Sequence, residues 1–223
     1  MAKHLQRELE KLKKRILSLG AMVEERVRIA IRSIESRDAV LARTVIQKDY
    51  EVDEIEVEVE EECLKILALH QPVAVDLRFL TAVIKINNDL ERIGDEAVNI
   101  AERVDNIAKR SKTDAPFHYD QMSEKAASML KMSLDALVNL DLDLAFRVLT
   151  MDDEVDELHG LNYDQVKEAI RLQPDHVGFF INFLQISRHL ERIADHATNI
   201  AEEVVYMIEG EIVRHGRWDQ ADS

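Results

Sequence analysis

The stretch Glu91-Arg92-Ile93-Gly94-Asp95-Glu96-Ala97-Val98-Asn99-Ile100-Ala101-Glu102 returns as Glu191-Arg192-Ile193-Ala194-Asp195-His196-Ala197-Thr198-Asn199-Ile200-Ala201-Glu202, at an offset of 191 − 91 = 100. Only Gly94/Ala194, Glu96/His196 and Val98/Thr198 differ between the copies. Upstream, Gln71-Pro72 answers Gln173-Pro174 at an offset of 102, and Asp49 to Glu54 answers Asp152 to Glu157 at 103. A drift this small means that the two halves carry the same elements with minor length changes.

Those elements are helices. Leu5, Leu9, Leu12, Ile16, Leu19, Val23, Val27, Ala30 and Ile34 recur in steps of three and four, the spacing of one helix face. Asp38 reads as the N-cap of a second helix running to about Leu69. Gln71-Pro72 breaks that helix, and Pro72 suits the first turn of a third, which fades after Ile107. Ser111 to Tyr119 is a polar, proline-containing linker. The pattern then restarts with helices over about 121–140 and 141–172. A last helix runs from Pro174 to near Gly216, a C′ glycine, and leaves a frayed tail from Arg217. The expected fold is all-α, with two tandem-repeated antiparallel three-helix bundles of six long helices, divided into 1–114 and 115–223.

Composition agrees and narrows function. Three prolines and six glycines are few for 223 residues, and one third of the chain is charged, as long amphipathic helices require. The formal charge of −15 sets the surface against nucleic acid and anionic lipid, with Lys11, Lys13, Lys14 and Arg15 the only compact basic patch. The single cysteine, Cys63, cannot form an internal disulfide and reads as core packing. No signal peptide and no apolar run of membrane-spanning length is visible, so the expectation is a cytoplasmic protein without membrane insertion.

The chemistry lies in acid-x-x-x-Asp, which sets two carboxylates one turn apart on one helix face. Four such pairs occur: Asp49/Asp53, Glu91/Asp95, Asp152/Asp156 and Glu191/Asp195. Their number is what chance gives for this composition, but all four fall at repeat-equivalent positions. Folding about Gln71 sets Asp53 opposite Asp89 and Asp49 opposite Ile93. Folding about Gln173 sets Asp156 opposite Leu190 and Asp152 opposite Ala194. The acidic partners therefore miss by one or two residues, roughly 1.5–3 Å along a helix. Four carboxylates converge in each half, and their repulsion calls for a cation. Oxygen ligands favour magnesium, calcium, manganese or iron(III), and Asn99 and Asn199, one turn on, could add neutral oxygens. The competing reading places these carboxylates on solvated faces, paired with Arg92, Arg192 or Lys48.

At Leu90-Glu91-Arg92-Ile93-Gly94-Asp95, Leu190-Glu191-Arg192-Ile193-Ala194-Asp195 and Gln71-Pro72-Val73-Ala74-Val75-Asp76-Leu77-Arg78, the sequence resembles the PhoU family along essentially its whole length. The resemblance implies two homologous three-helix bundles whose eight motif acids can hold iron or zinc clusters. It also implies a non-enzymatic restraint on the phosphate-starvation response, linking a phosphate-transporter ATPase to a sensor histidine kinase, in a chain expected to form a homodimer. The second half lacks the Asp76-Leu77-Arg78 element, having Asp175-His176-Val177-Gly178 instead, so the turn from Gln71 to Arg78 is the candidate partner surface. The alternatives are a metal-binding or metal-storing bundle, and a PhoU-like regulator of another ion transporter.

Other signals read as structural. Phe179, Phe180 and Phe183 fit a core or a dimer face, and the acidic run from Glu51 to Glu62 fits a solvated face. Asp156-x-x-His159 resembles half of a di-iron element, but Glu56 stands at the matching place in the first half. His189 and His196 replace Asp89 and Glu96, which predicts a different metal preference in the second half. Trp218 in the tail is a candidate to dock on a neighbouring subunit.

Overall fold

The protein is described by a computed structural model at residues 2–109 and 119–213. Among these residues there are seven α-helices and no strand: α1 (Ala2–Ser36), α2 (Ala39–Gln47), α3 (Tyr50–His70), α4 (Ala74–Ala108), α5 (Tyr119–Asn139), α6 (Leu142–Leu172) and α7 (Val177–Glu209). One 3₁₀ turn, Pro174–His176, precedes α7. The all-α fold of two repeated bundles stands. The domain boundary at 114/115, most of the linker, Gly216 and the tail from Arg217 lie outside the described residues.

Capping explains why the repeats begin where they do. Asp38 accepts from the N–H groups of Val40 and Leu41, and Asp141, its repeat counterpart, accepts from that of Leu144. Each Asp follows a residue at positive φ, Arg37 (50°) and Leu140 (53°), where the chain reverses. The expected single helix from Asp38 to Leu69 is two helices in the structure. Lys48 donates to Val45, three residues back, and the ladder resets at Tyr50. The β-branched run Thr44-Val45-Ile46 holds a helix less well than its counterpart Arg147-Val148-Leu149, over which α6 continues unbroken. Pro72 lies two residues before α4 rather than within its first turn. The last helix stops short of Gly216, because Gly210 takes φ +79° and its N–H bonds to the Tyr206 carbonyl.

The two bundles share one core. Helices α4 and α7 lie antiparallel along the centre, burying Leu80, Ile86, Leu90, Ile93 and Ile100 on one side and Phe180, Ile186, Leu190, Ile193 and Ile200 on the other. Helices α1 and α5 also meet: a Cβ added to Gly20 would stand 2.7 Å from Leu134 Cδ2, so the glycine permits that approach. Cys63 is fully buried, and that burial pushes its thiol up to about 12, consistent with packing rather than reactivity. No helix among the described residues is long and apolar enough to cross a membrane.

Candidate functional site

The acids of each predicted quartet stand on helices of one half that pack against each other. In the first half α3 supplies Asp53, with Asp49 at the α2–α3 break, and α4 supplies Glu91 and Asp95. Asp49 is held above the ordinary carboxylate range by burial, then by the charges of Asp53 and Asp95. Glu91 is raised by burial and by Asp95, although Arg92 opposes the rise. Burial raises Asp95 too, against Arg92 and with Asp53 and Glu96 adding to it. In the second half α6 supplies Asp152 and Asp156, and α7 supplies Glu191 and Asp195. Asp152 is pushed up to about 6 by burial, then by Asp195, Asp156, Asp153 and Glu191. Asp195 rises through burial, then through Glu191 and Asp156. Charges perturb one another in this way only at close range.

The reading of solvated, paired carboxylates is partly right in the first half. Arg92 lies 3.4 Å from both Glu91 and Asp95. Its counterpart Arg192 instead reaches 2.9 Å to Glu96, in the other half. Asp152 Oδ1 is shielded from solvent without a hydrogen-bond partner, whereas Glu91 Oε2, equally shielded, has only its 3.4 Å ion-pair contact with Arg92. A desolvated, unpaired carboxylate oxygen costs stability unless a cation or proton compensates it. The donor set therefore fits a hard cation in number, element and charge. Among the described residues, however, no three His, Cys, Asp or Glu side chains stand close enough to hold a metal ion, so an ion would have to draw them inward.

Sequence reasoning missed a fifth acid. Glu56, one turn after Asp53, is raised by burial, Glu60 and Asp53, and its charge in turn bears on Glu91. Asn87 donates to its carbonyl at 2.9 Å and its carboxylate at 3.3 Å. In the second half His159 and Ser187 stand at those two places, with His159 Nδ1 2.9 Å from Ser187 Oγ. The match of positions 56 and 159 across the repeat marks Glu56 only as a departure from the His159 pattern, and its spacing of three from Asp53 is the signal that could have placed it beside the quartet.

The expectation for His189 and His196 requires correction: both face the opposite half rather than the second quartet. His189 Nδ1 donates to Glu96 at 2.6 Å, and His196 Nδ1 donates to Asp89 at 2.8 Å. Positions 89 and 96 thus pair crosswise with 196 and 189, acid on α4 with imidazole on α7. Asn199 donates to Asp89 at 3.0 Å and Asn99 to Glu96 at 3.4 Å, so both amides serve this seam. Lys85 extends it with a 2.8 Å bond to Glu203. Glu96 is held below the ordinary range by His189 and Arg192 despite its burial.

Fold and site together define a duplicated helical bundle with one carboxylate quartet per half and a crossed ionic seam between the halves. The PhoU domain model matches residues 16–104 and again 119–204, and the chain belongs to the PhoU family. It is 34% identical to the phosphate-specific transport system accessory protein PhoU homolog of Clostridium acetobutylicum, covering 92% of this chain and 94% of that protein. It is 36% identical to the homolog of Aquifex aeolicus, covering 94% and 95%. The crystal structure of PhoU from Pseudomonas aeruginosa superposes with a TM-score of 0.88 at 33% identity, over 92% of this chain and 99% of that one. The phosphate transport system regulatory protein PhoU of Streptococcus pneumoniae gives 0.83 at 31%, over 95% and 100%.

Proposed function

We propose that this protein is a non-enzymatic accessory regulator of a phosphate-specific transport system, restraining the phosphate-starvation response. It couples the transporter's ATPase to a sensor histidine kinase. The observation that carries the transport role is the likeness to phosphate-specific transport accessory proteins across both halves of the chain. The acidic bundle presents Val73, Val75 and Leu77 to solvent beside Asp76 and Arg78, an apolar and charged edge suited to a protein partner. A pull-down from phosphate-replete cells is expected to recover a transport ATPase or a histidine kinase. Recovery of neither, where a known complex survives the same wash, would overturn the coupling.

The quartets Asp49, Asp53, Glu91, Asp95 and Asp152, Asp156, Glu191, Asp195 hold metal ions in this reading, and iron, zinc, magnesium, calcium or manganese are the candidates. The bound ion would neutralise each cluster and clamp α3 to α4 and α6 to α7, which fixes the bundle that partners meet. Support comes from the unpaired Asp152 oxygen and from the raised carboxylates of both quartets. Elemental analysis of chelator-free protein should find metal, and Asp53→Ala with Asp95→Ala should lower it. Equal metal in both proteins would remove the first-half site.

A further inference from the structure

The acidic run from Glu51 to Glu62 carries an apolar column that its counterpart in the other half lacks. Tyr50, Val57 and Leu64 stand seven residues apart on α3, close to two helical turns, at 56%, 51% and 54% exposure. Helix α3 buries Val52, Val59, Cys63 and Ile66 while packing on α1 and α4, so the column lies on its open side. The same places on α6 hold Asp153, Gly160 and Lys167. Exposed Leu161 and Tyr163 stand at the places of Glu58 and Glu60, beside that line, and Lys167 lies 5.1 Å over the Tyr163 ring. A helix face kept for water alone needs no apolar residue on every second turn.

The charges around the column select what can lie on it. Glu54 and Glu61 are exposed between its members, and Glu58 and Glu60 are exposed beside them; Asp53, also exposed, belongs to the quartet. The neighbouring cations are largely engaged. Arg15 of α1 lies 3.4 Å from Glu58, Lys65 lies 3.2 Å from Glu62, and Arg92 of α4 lies 3.4 Å from Glu91 and Asp95. Lys48 is exposed at the foot of α3. Lys11 and Lys14 of α1 are exposed toward its other end, since α1 runs antiparallel and pairs Glu8 with His70. The middle of the face therefore sets four carboxylates against Arg15. A second copy of the face, nucleic acid or anionic lipid would meet like charge there. We infer that α3 is a docking face for a basic amphipathic helix of a partner protein. That helix lays an apolar seam of seven-residue period along Tyr50, Val57 and Leu64, and sets Lys or Arg against Glu54, Glu58, Glu60 and Glu61.

The probe is a synthetic helix of three heptads with leucine at a and d and lysine at e and g. One control carries serine for leucine, the other glutamate for lysine. In calorimetric titration of the full chain, the probe should bind about tenfold or more tightly than either control. Tyr50→Asp with Leu64→Lys, the residues found at the matching places on α6, should weaken it about tenfold. Glu54→Lys with Glu61→Lys should weaken it as much and raise affinity for the glutamate helix. All four side chains are exposed, so both variants should keep the wild-type dichroism and melting temperature. Equal binding of the leucine and serine helices, or affinity unmoved by either pair of substitutions, would leave only general attraction to an acidic protein and overturn the inference. A lower sedimentation mass for Tyr50→Asp with Leu64→Lys would make a second copy the occupant and overturn it too.

Discussion

Replacing Asp152 by asparagine should stabilise the metal-free protein at neutral pH. Asp152 titrates at about 6 in the fold against an ordinary 3.8. At 1.36 kcal/mol per unit, that difference makes its charge cost about 3 kcal/mol above pH 6. The cluster is coupled and partly open to solvent, so about 1–2 kcal/mol is the expected gain from Asp152→Asn. Asparagine sacrifices no hydrogen bond at Oδ1, because that atom has none. The sign follows from proton binding: between pH 3.8 and about 6 the folded state holds the proton that the unfolded state has lost. Wild-type stability therefore falls as pH rises through this window, and the wild-type/mutant difference should close below about pH 4. Urea unfolding followed by far-UV dichroism, in chelator, measures both. A mutant no more stable than wild type at pH 7.5, or a difference independent of pH, would refute the repulsion on which the metal proposal leans. Excess manganese should then reverse the order, since a ligand of the folded state stabilises by mass action only where its site is intact.

The seam should respond in the opposite direction. Glu96 is 2% exposed and bonded to His189 and Arg192, so Glu96→Ala should cost about 2 kcal/mol, less than a fully buried pair because Arg192 is 45% exposed. A double-mutant cycle with His189→Ala should return a coupling of about 1 kcal/mol. Since Glu96 is lowered, its contribution is present above about pH 4.5 and disappears as pH falls through its folded value. Cys63 should resist a thiol reagent in the native state and react at the rate of global opening; immediate labelling would contradict its burial. Gln71 sits at φ 47°, so Gln71→Gly should raise stability by about 1 kcal/mol in a thermal melt, and an unchanged midpoint would argue against strain there.

The fold was legible because the duplication repeats its own punctuation. Asp38 and Asp141 cap, Gln71-Pro72 and Gln173-Pro174 break, and the hairpin arithmetic between them set the four acids of each half on helices that pack together. Two things were not legible. The break at Lys48 depends on a few weak helix formers within a strong amphipathic pattern, and periodicity does not register a single shifted hydrogen bond. The seam depends on how α4 lies against α7, and hairpin arithmetic within a half says nothing about packing between halves.

That packing explains why the two copies were free to diverge where they did. At positions 89 and 96 the first half is acidic and the second basic-capable, a mismatch when each half is read alone. Antiparallel packing of α4 on α7 brings 89 to 196 and 96 to 189, so two like carboxylates per contact become one carboxylate and one imidazole. Had both copies kept acids there, each contact would set two negative charges together in a seam where Glu96 is almost fully buried, an arrangement that raises pKa values and destabilises the fold. The quartets face away from this constraint, each inside its own half, and there all four acids are identical in the two copies. Divergence at the seam thus follows from the contact between the halves, a constraint that the quartets, each inside its own half, do not carry.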